Sequence, residues 1–195
     1  MRIVCLSDTH WTKPPYLPHG DIIIHAGDGT EWPGFMEWVA RNDVLAISGN
    51  HDIGVTFPLN DAEIEVRGLL VYGMPWTPKY GNWDYMLPRN GDELRAKVEA
   101  IPSGLDILVT HGPPYGTLDT WHAGQSGINI GCELLAAHLE SMSKPPRLHV
   151  FGHIHMGYGV RDHRHYNGCP QCVSVNAALC NESNKLVNAP IVIDL

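Results

Sequence analysis

Five short polar motifs in the chain combine carboxylate, amide and imidazole side chains at spacings that suit a metal site. They are Asp8-x-His10, Gly27-Asp28, Gly49-Asn50-His51-Asp52, His111 and Gly152-His153-x-His155. This mixed oxygen and nitrogen donor set, which contains no thiolate, suits Mn, Fe or Zn. Residues i and i+2 of a loop that leaves a strand can project toward one point, as both x-spaced pairs require. The set is too large for one tetrahedral ion with an open position and about right for two ions that share a carboxylate.

Two ions about 3.5–4 Å apart would suit the hydrolysis of a phosphate ester. Each ion could bind a phosphoryl oxygen, and a hydroxide held between them could attack the phosphorus in line. The leaving alkoxide then needs a proton, which a histidine just outside the metal ligands could supply. The motifs therefore predict metal-dependent phosphoester hydrolysis.

Each motif stands at or just after the end of a short apolar run, which predicts a buried strand. These runs are Arg2–Leu6, Asp21–His25, 44–47, 105–109 and Leu148–Phe151. Because each strand would deliver Asp, His or Asn at its carboxyl end, we expect an α/β sheet whose strand ends share one edge. Helices are predicted over 33–41, from Asp92 as the N-cap to about Ala100, and over 130–140 after a Gly-rich loop.

Two other segments have clear local patterns. Residues 63–72 predict a β-hairpin that turns at Arg67-Gly68. Residues 73–89 form an aromatic and Pro-rich loop, and long loops in compact domains are often functional.

The motifs, complete and in this order from Asp8 to His155, resemble the pattern of calcineurin-like metallophosphoesterases. Segments such as 75–78, 110–114 and 189–195 resemble the small metallophosphoesterase-domain-containing phosphodiesterases, so the likeness runs nearly end to end. The resemblance implies an α/β fold of four layers, an α/β/β/α sandwich of two mixed β-sheets flanked by helices. It also implies one domain over residues 1–195.

The resemblance further implies the roles of the polar residues and the cofactor. Asp8, His10, Asp28 and His155 would hold one ion, and Asp28 would bridge to a second ion that Asn50, His111 and His153 complete. His51 would donate a proton or bind the phosphate, and Asp52 would fix the tautomer of His51. The expected cofactor is two divalent metal ions, with Mn²⁺ first and Fe, Zn, Ni or Mg as alternatives.

Five further residues are candidate substrate contacts: Trp11, Trp76, Arg89, Arg161 and His163. Trp76 could belong to an apolar wall for a nucleobase or aryl group, or to a cluster that anchors its own loop. Arg89 could reach a phosphate or form a salt bridge within the loop. Arg161 and His163 alternate along an expected strand, which could face either the site or solvent. Trp11 directly follows His10 and would cover the first metal.

Composition and charge restrict the partners. The formal charge of −8 argues against a broad nucleic-acid or anionic-membrane surface, although bound cations would still admit a phosphate substrate. The chain shows no signal peptide and no apolar run of the about 18 residues that a spanning helix needs, so we expect a cytoplasmic protein. Five cysteines include one close pair, Cys169 and Cys172, which could be free thiols in a surface turn, a disulfide or a half-site shared between subunits.

The expected substrate is a small phosphoester, with nucleotides among the candidates, and the sequence leaves the oligomeric state open. A phosphodiesterase is the first hypothesis, because the aromatic loop could hold a second ester substituent. A phosphomonoesterase or protein phosphatase of the same fold is the alternative. A catalytically weak, metal-containing binding module is an alternative of another class, although a degenerate scaffold would usually lose ligands and none is missing here.

Overall fold

A computed structural model describes residues 1–123, 126–163 and 172–195. The strands in chain order are β1 (Arg2–Leu6), β2 (Ile22–His25), β3 (Val44–Ala46), β4 (Ala62–Val66), β5 (Leu69–Met74), β6 (Thr77–Pro78), β7 (Met86–Leu87), β8 (Ile107–Thr110), β9 (Thr120–Ala123), β10 (Ser126–Asn129), β11 (Leu148–Phe151), β12 (Gly159–His163), β13 (Cys172–Asn176) and β14 (Ile191–Asp194). The α-helices are α1 (Phe35–Arg41), α2 (Asp92–Glu99) and α3 (Glu133–Ser141), and a 3₁₀ turn covers His155–Gly157.

Two large mixed sheets form the centre of the fold. The first has the order β14-β1-β2-β3, with β1, β2 and β3 parallel and β14 antiparallel to β1. The second has the order β12-β13-β11-β8-β5-β4, in which the four inner strands are parallel and both edge strands antiparallel. The short pairs β6-β7 and β9-β10 form two additional ladders. The parallel arrangement brings the carboxyl ends of the inner strands to one edge of each sheet.

Alternation along β1 shows how the layers stack. Ile3 and Cys5 pack into the apolar cluster that both sheets share, which also contains Val71 and Val150. The intervening residues of β1, Val4 and Leu6, belong to a second cluster with Phe35 and Trp38 of α1. Because successive side chains of a strand point to opposite faces, the first sheet lies between α1 and the second sheet.

A third cluster covers the other face of the second sheet. Leu94 and Val98 of α2 and Leu135 of α3 pack there against Tyr72 and Leu108. Three apolar interfaces between four layers give the order α/β/β/α, which confirms the predicted fold class.

Several boundaries differ from the sequence predictions. The five site-bearing strands divide between two sheets, whereas the strand pattern alone predicted one sheet. The N-cap of α2 is Gly91 in an extended conformation, so Asp92 is the first helical residue and caps nothing. Helix α3 begins at Glu133, where the Cys132 sulfur accepts a hydrogen bond from the Leu135 N–H. The predicted long loop contains the short β6-β7 ladder.

Two sequence interpretations concern the membrane and the cysteines. Among the described residues, no helix has the length and apolar character needed to cross a membrane. Cys169 lies outside the described residues, and Cys172 is buried in β13. Cys5, Cys132 and Cys180 are buried.

Candidate metal centre

The polar motifs lie at the carboxyl ends of five parallel strands, and the two sheets bring these ends together. Asp8 and Asp28 follow β1 and β2 of the first sheet, whereas His111 and His153 follow β8 and β11 of the second. The backbone N–H of His153 donates to Oδ2 of Asp8 over 2.9 Å, which ties the two sheets to each other inside the site. The packing of one sheet on the other therefore assembles the site.

Four site residues have left-handed backbone conformations. The φ angles are 51° at Asp8, 44° at His10, 60° at Asp28 and 67° at His153. Such conformations cost on the order of 1 kcal/mol for a residue with a Cβ, and they persist where the surroundings over-determine them. Their concentration here aims these side chains away from the strand directions and into a common space.

Two motif glycines permit close approach of the site side chains. A Cβ on Gly49 would meet the Asp28 carboxylate and the His111 ring. A Cβ on Gly152 would meet the Asp8 carboxylate and the side chain of Ser7. These glycines thus make room for the two carboxylates of the site, because neither carboxylate could hold its position beside a larger residue.

Asp8, His10 and His155 form a group whose free atoms are all hydrogen-bond acceptors. His10 Nδ1 lies 2.6 Å from Glu31 Oε2, and His155 Nδ1 lies 2.9 Å from the carbonyl oxygen of Asn181. Since both partners only accept, each Nδ1 carries a proton, and in the neutral form of the ring that a metal requires Nε2 has a free lone pair. The two Nε2 atoms are 3.3 Å apart, and His155 Nε2 is 3.4 Å from Asp8 Oδ1. Asp8 Oδ1 is buried beside His155 Nε2 with no other donor from the described residues, so the acceptor atoms of this group would suit a cation.

Asp28, Asn50 and His111 form a second group of the same kind. His111 Nδ1 donates to the Ala26 carbonyl oxygen over 2.8 Å, which directs Nε2 into the site. That Nε2 is 3.0 Å from Asn50 Oδ1 and 3.4 Å from Asp28 Oδ2. Asp28 also offers a ligand atom to a group with His10 and His51, so its carboxylate lies between the two sets. The Asp and His clusters are thus compatible with divalent metal binding.

The pKa values show how strongly these groups attract positive charge. Burial alone would lower the pKa of His111, but the charge of Asp28 and its hydrogen bond outweigh burial and raise that pKa to about 9. Asp8 acts in the same way on His155, whose pKa also rises to about 9 against the effect of burial. These raised pKa values mean that His111 and His155 would each lose a proton when a metal binds.

His153 lies beside the second group and stays neutral. Its ring centroid is 4.8 Å from that of His111. Burial, together with the charge of His111, lowers the pKa of His153 to about 3. A neutral imidazole is the form that binds a metal. However, the His153 ring nitrogens belong to none of the clusters found among the described residues whose ligand atoms converge closely enough to hold one ion. These clusters are Asp8/His10/His155, His10/Asp28/His51 and Asp8/Asp28/His111.

The structure corrects the role predicted for Asp52. The Asp52 carboxylate does not contact His51, because its oxygens accept four backbone N–H groups, from Asp28, Gly29, Thr30 and Gly49, over 2.7–3.0 Å. Asp52 is fully buried and joins the loop after β2 to the loop after β3. It is therefore a structural clamp that holds Asp28 and Asn50 in position.

Glu31 takes the position that the sequence interpretation gave to Asp52. Glu31 Oε1 lies 3.3 Å from His51 Nδ1, while Oε2 contacts His10. The contact with Glu31 occupies the Nδ1 side of the His51 ring and leaves Nε2 free to act on a substrate. His51 is 26% exposed and lines the cavity in front of the metal groups. Glu31 was missed because it follows Asp28 by three residues in a loop without periodic pattern; its carboxylate in a motif loop was the available signal.

A cavity of about 580 Å³ opens from the candidate metal ligands. The residues lining its polar end include His10, Asp28, Asn50, His51, His153 and His155. Tyr80 also lines it, with its ring 5.5 Å from His153 and its side chain interacting with Asn50. Desolvation of the Tyr80 hydroxyl, with the charges of Asp28 and Asp8, raises its pKa to about 12. The hydroxyl is a hydrogen-bond donor at neutral pH, which the sequence interpretation did not assign to the site.

The candidate substrate contacts divide into those near the cavity and those away from it. Arg89 lines the cavity, but its guanidinium is bound to Glu133 and to the carbonyl oxygens of Ile130 and Gly131. Trp11 stacks on His10 with ring centroids 5.5 Å apart and is exposed. It therefore touches a candidate ligand without lining the cavity.

Trp76, Arg161 and His163 do not line the described cavity. The Trp76 indole donates to Asp61, and Lys97 lies over its ring at 4.8 Å, so Trp76 anchors its loop. Arg161 donates to the Gly116 carbonyl oxygen over 2.6 Å. His163 ends β12, and its side chain lies outside the described part of the chain.

Comparison with known proteins defines the class to which this fold and site belong. The family model of the calcineurin-like phosphoesterase superfamily domain matches residues 1–178, so the chain belongs to that superfamily. Family membership and the Asp and His clusters together support metal-dependent phosphoester hydrolysis.

Curated relatives agree with this assignment. Metallophosphoesterase domain-containing protein 1 of Homo sapiens, like that of Mus musculus, is 38% identical over 240 residues, which cover all of this chain and 71% of the relative. A UPF0046 protein of Caenorhabditis elegans is 31% identical over 238 residues, covering the whole chain and 81% of that protein.

Proposed function

We propose that the chain is a dinuclear metal-dependent phosphodiesterase. The proposal rests on the two groups of hydrogen-bond acceptors that the two sheets bring together. In these groups the histidine Nδ1 atoms are already hydrogen-bonded, so the Nε2 atoms face the site. Nδ1 of each of three histidines, His10, His111 and His155, is hydrogen-bonded to an acceptor that is not among the proposed ligands. Their Nε2 atoms then converge on two carboxylates and an amide oxygen, which cations between them would satisfy.

The ligands divide between two positions. We assign Asp8, His10 and His155 to one ion and Asn50, His111 and His153 to the other, with Asp28 shared between them. Asp28 Oδ1 accepts a hydrogen bond from the backbone N–H of His51 over 2.8 Å, while Oδ2 faces His111. Both carboxylate oxygens are therefore oriented before a metal binds. Mn²⁺ is the proposed ion, since the donors are mixed oxygen and nitrogen atoms without sulfur.

Bound divalent ions would polarise the phosphoryl oxygens and supply a hydroxide nucleophile at neutral pH. His51 then serves as the proton donor to the departing alkoxide, because it lies at the cavity surface outside the two ligand sets. Glu31 contacts Nδ1 of the His51 ring, and the proton passed to the leaving group would come from Nε2 of the imidazolium form. Tyr80 offers a neutral hydroxyl that can donate to a phosphate oxygen above Asn50.

The cavity supports a diester over a monoester. A volume of about 580 Å³ exceeds the space that a phosphate group alone requires, and the lining continues beyond the candidate ligands to apolar residues such as Pro113, Trp121 and Ile128. A phosphomonoester has one ester substituent and therefore no second one to place in this region. A phosphodiester could place its second substituent there.

A paired assay on one preparation, stripped of metal and reloaded with Mn²⁺, tests the proposal. Bis-p-nitrophenyl phosphate and p-nitrophenyl phosphate serve as diester and monoester substrates, and Asp61→Asn is the control for a carboxylate outside the site. Metal-dependent turnover of the diester, with a higher kcat/KM than for the monoester, is the expected result. Turnover of the monoester alone would indicate a phosphatase, and no turnover with metals bound would indicate a binding module.

A further inference from the structure

The side chains that line the cavity fall into a polar set and an apolar set, which we call its polar end and its apolar end. Side chains of the metal centre line the polar end, with Glu182 and Asn184 close in sequence to Asn181, which contacts His155. The apolar end is lined by Pro113, Trp121, Ile128 and Ile130. The metal centre accounts for the polar end, whereas nothing in phosphoester chemistry by itself requires the apolar one.

Trp121 and Ile128 form the surface of the apolar end. They are direct cross-strand partners in the β9-β10 ladder, so their side chains lie on the same face of the hairpin. Trp121 is 40% and Ile128 is 50% exposed, although both line the cavity. Two large apolar side chains left open to water at the mouth of a site offer contact area to a ligand.

The hairpin face offers a ligand apolar contact area more than hydrogen-bonding groups. Arg89 donates to the Ile130 carbonyl oxygen next to this segment, and Glu133 and the Gly131 carbonyl oxygen also bind its guanidinium. An indole face beside a branched aliphatic side chain favours a flat, uncharged ring, because stacking requires a planar partner and no pairing of donors.

We propose that the Trp121/Ile128 face of the hairpin is the subsite for a planar, uncharged ring substituent on the phosphate. This inference rests on the proposed phosphodiesterase function and names the class of its substrates: phosphodiesters in which the substituent retained on the phosphate after cleavage carries an aromatic ring. An aryl group and a nucleobase share this chemistry. The hairpin would thus bind the ring, while other residues bind and protonate the phosphoester.

Three diesters that release the same p-nitrophenolate test the subsite, because they differ in the retained substituent alone. Bis-p-nitrophenyl phosphate retains an aryl ring, thymidine 5′-p-nitrophenyl phosphate retains a nucleoside, and methyl p-nitrophenyl phosphate retains no ring. The measured quantity is the ratio of kcat/KM for each ring substrate to kcat/KM for the methyl substrate. Comparing this ratio between wild type and variant cancels the intrinsic reactivity of each ester.

Trp121→Ala should lower the ring-to-methyl ratio about tenfold, with the methyl substrate nearly unaffected. Trp121→Phe should keep most of the ratio because it retains a ring. Tyr115→Ala is the matched control, since Tyr115 is an exposed aromatic residue of the same segment that does not line the described cavity. A loss for the aryl diester alone would identify an aryl subsite, and a loss for both ring substrates would include the nucleobase.

An unchanged ratio in Trp121→Ala, in a wild type that turns over all three diesters, would overturn the subsite while leaving the phosphodiesterase in place. Equal losses for ring and methyl substrates would also overturn it, because the residue would then act on the fold or the metal centre. A metal-loaded wild type that cleaves none of the three would overturn the proposed function, and the subsite with it.

Discussion

The two ends of the cavity are built in opposite ways. At the polar end, Asp8, Asp28 and Asn50 are almost fully buried, and their loops are clamped by Asp52. At the apolar end, Trp121 and Ile128 stand exposed on a two-stranded hairpin. Reaction chemistry demands ligand atoms fixed to within a fraction of an ångström, whereas stacking against a ring tolerates adjustment. The comparison therefore suggests that reaction and recognition are carried by separate parts of the molecule.

Removing Asp28 should have the largest effect and should not discriminate between substrates. Asp28→Ala removes the carboxylate that we assign to both ligand sets, and we expect kcat/KM to fall by about 10³-fold or more for ring and methyl diesters alike. Steady-state kinetics on metal-reloaded protein checks this, with Asp61→Asn as the control. A variant that retained turnover of the methyl substrate would break the proposed division between the two ends.

His51→Ala separates proton donation from metal binding. The loss in kcat should be about 10²-fold or more for a diester with a poor alkoxide leaving group and much smaller for p-nitrophenolate, which departs without a proton. Kinetics with a series of leaving groups at saturating Mn²⁺ measures this difference. The same loss across the series would show that His51 acts on the phosphate and not on the leaving group.

The residue types at the polar end were predictable because each motif joins a turn-forming glycine or a strand end to metal-binding side chains. Asp8, Asp28 and His111 lie where the apolar runs before them end, so strand prediction places them too. The stacking of two sheets came from the resemblance, because the strand pattern does not say which strands share a sheet. Alternation along β1 agrees with it, since Ile3 and Val4 face different clusters.

The remaining features depend on contacts that a sequence pattern does not contain. The role of Asp52 depends on four backbone N–H groups, which every non-proline residue carries, so no side-chain signal distinguishes them. The hairpin around Trp121 and Ile128 lies in a segment that the glycine content predicted as a loop. Two strands of four residues each are too short for a clear alternating pattern.

Asp52→Asn tests the clamp at the polar end. Each Asp52 oxygen accepts two N–H groups, so an amide nitrogen at either position would face two donors. We expect the free energy of unfolding to fall by about 2 kcal/mol or more, measured by urea denaturation of metal-free protein. Asp61→Asn, which removes a partly exposed ion pair with Lys97, should cost less than about 1 kcal/mol. An unchanged free energy of unfolding in Asp52→Asn would contradict the clamp and favour the prediction from the sequence that Asp52 acts on His51.

Glu31→Gln should have the smallest effect of the four. The amide can still contact the two histidine rings but no longer holds them as a charged acceptor, so kcat should fall by about tenfold. The ring-to-methyl ratio should stay at its wild-type value, because Glu31 belongs to the polar end. Kinetics with the three p-nitrophenyl diesters measures both quantities, and a changed ratio would mean that the two ends are coupled.

The central claim is that two acceptor groups from two sheets hold a pair of ions. Its most direct test is the metal content of the wild type and of Asp28→Ala after equilibrium dialysis against Mn²⁺, measured by plasma mass spectrometry alongside diester turnover. We expect two ions per wild-type chain, turnover that requires both, and loss of at least one ion from Asp28→Ala. Full turnover by a wild-type chain that binds one ion or none would contradict it.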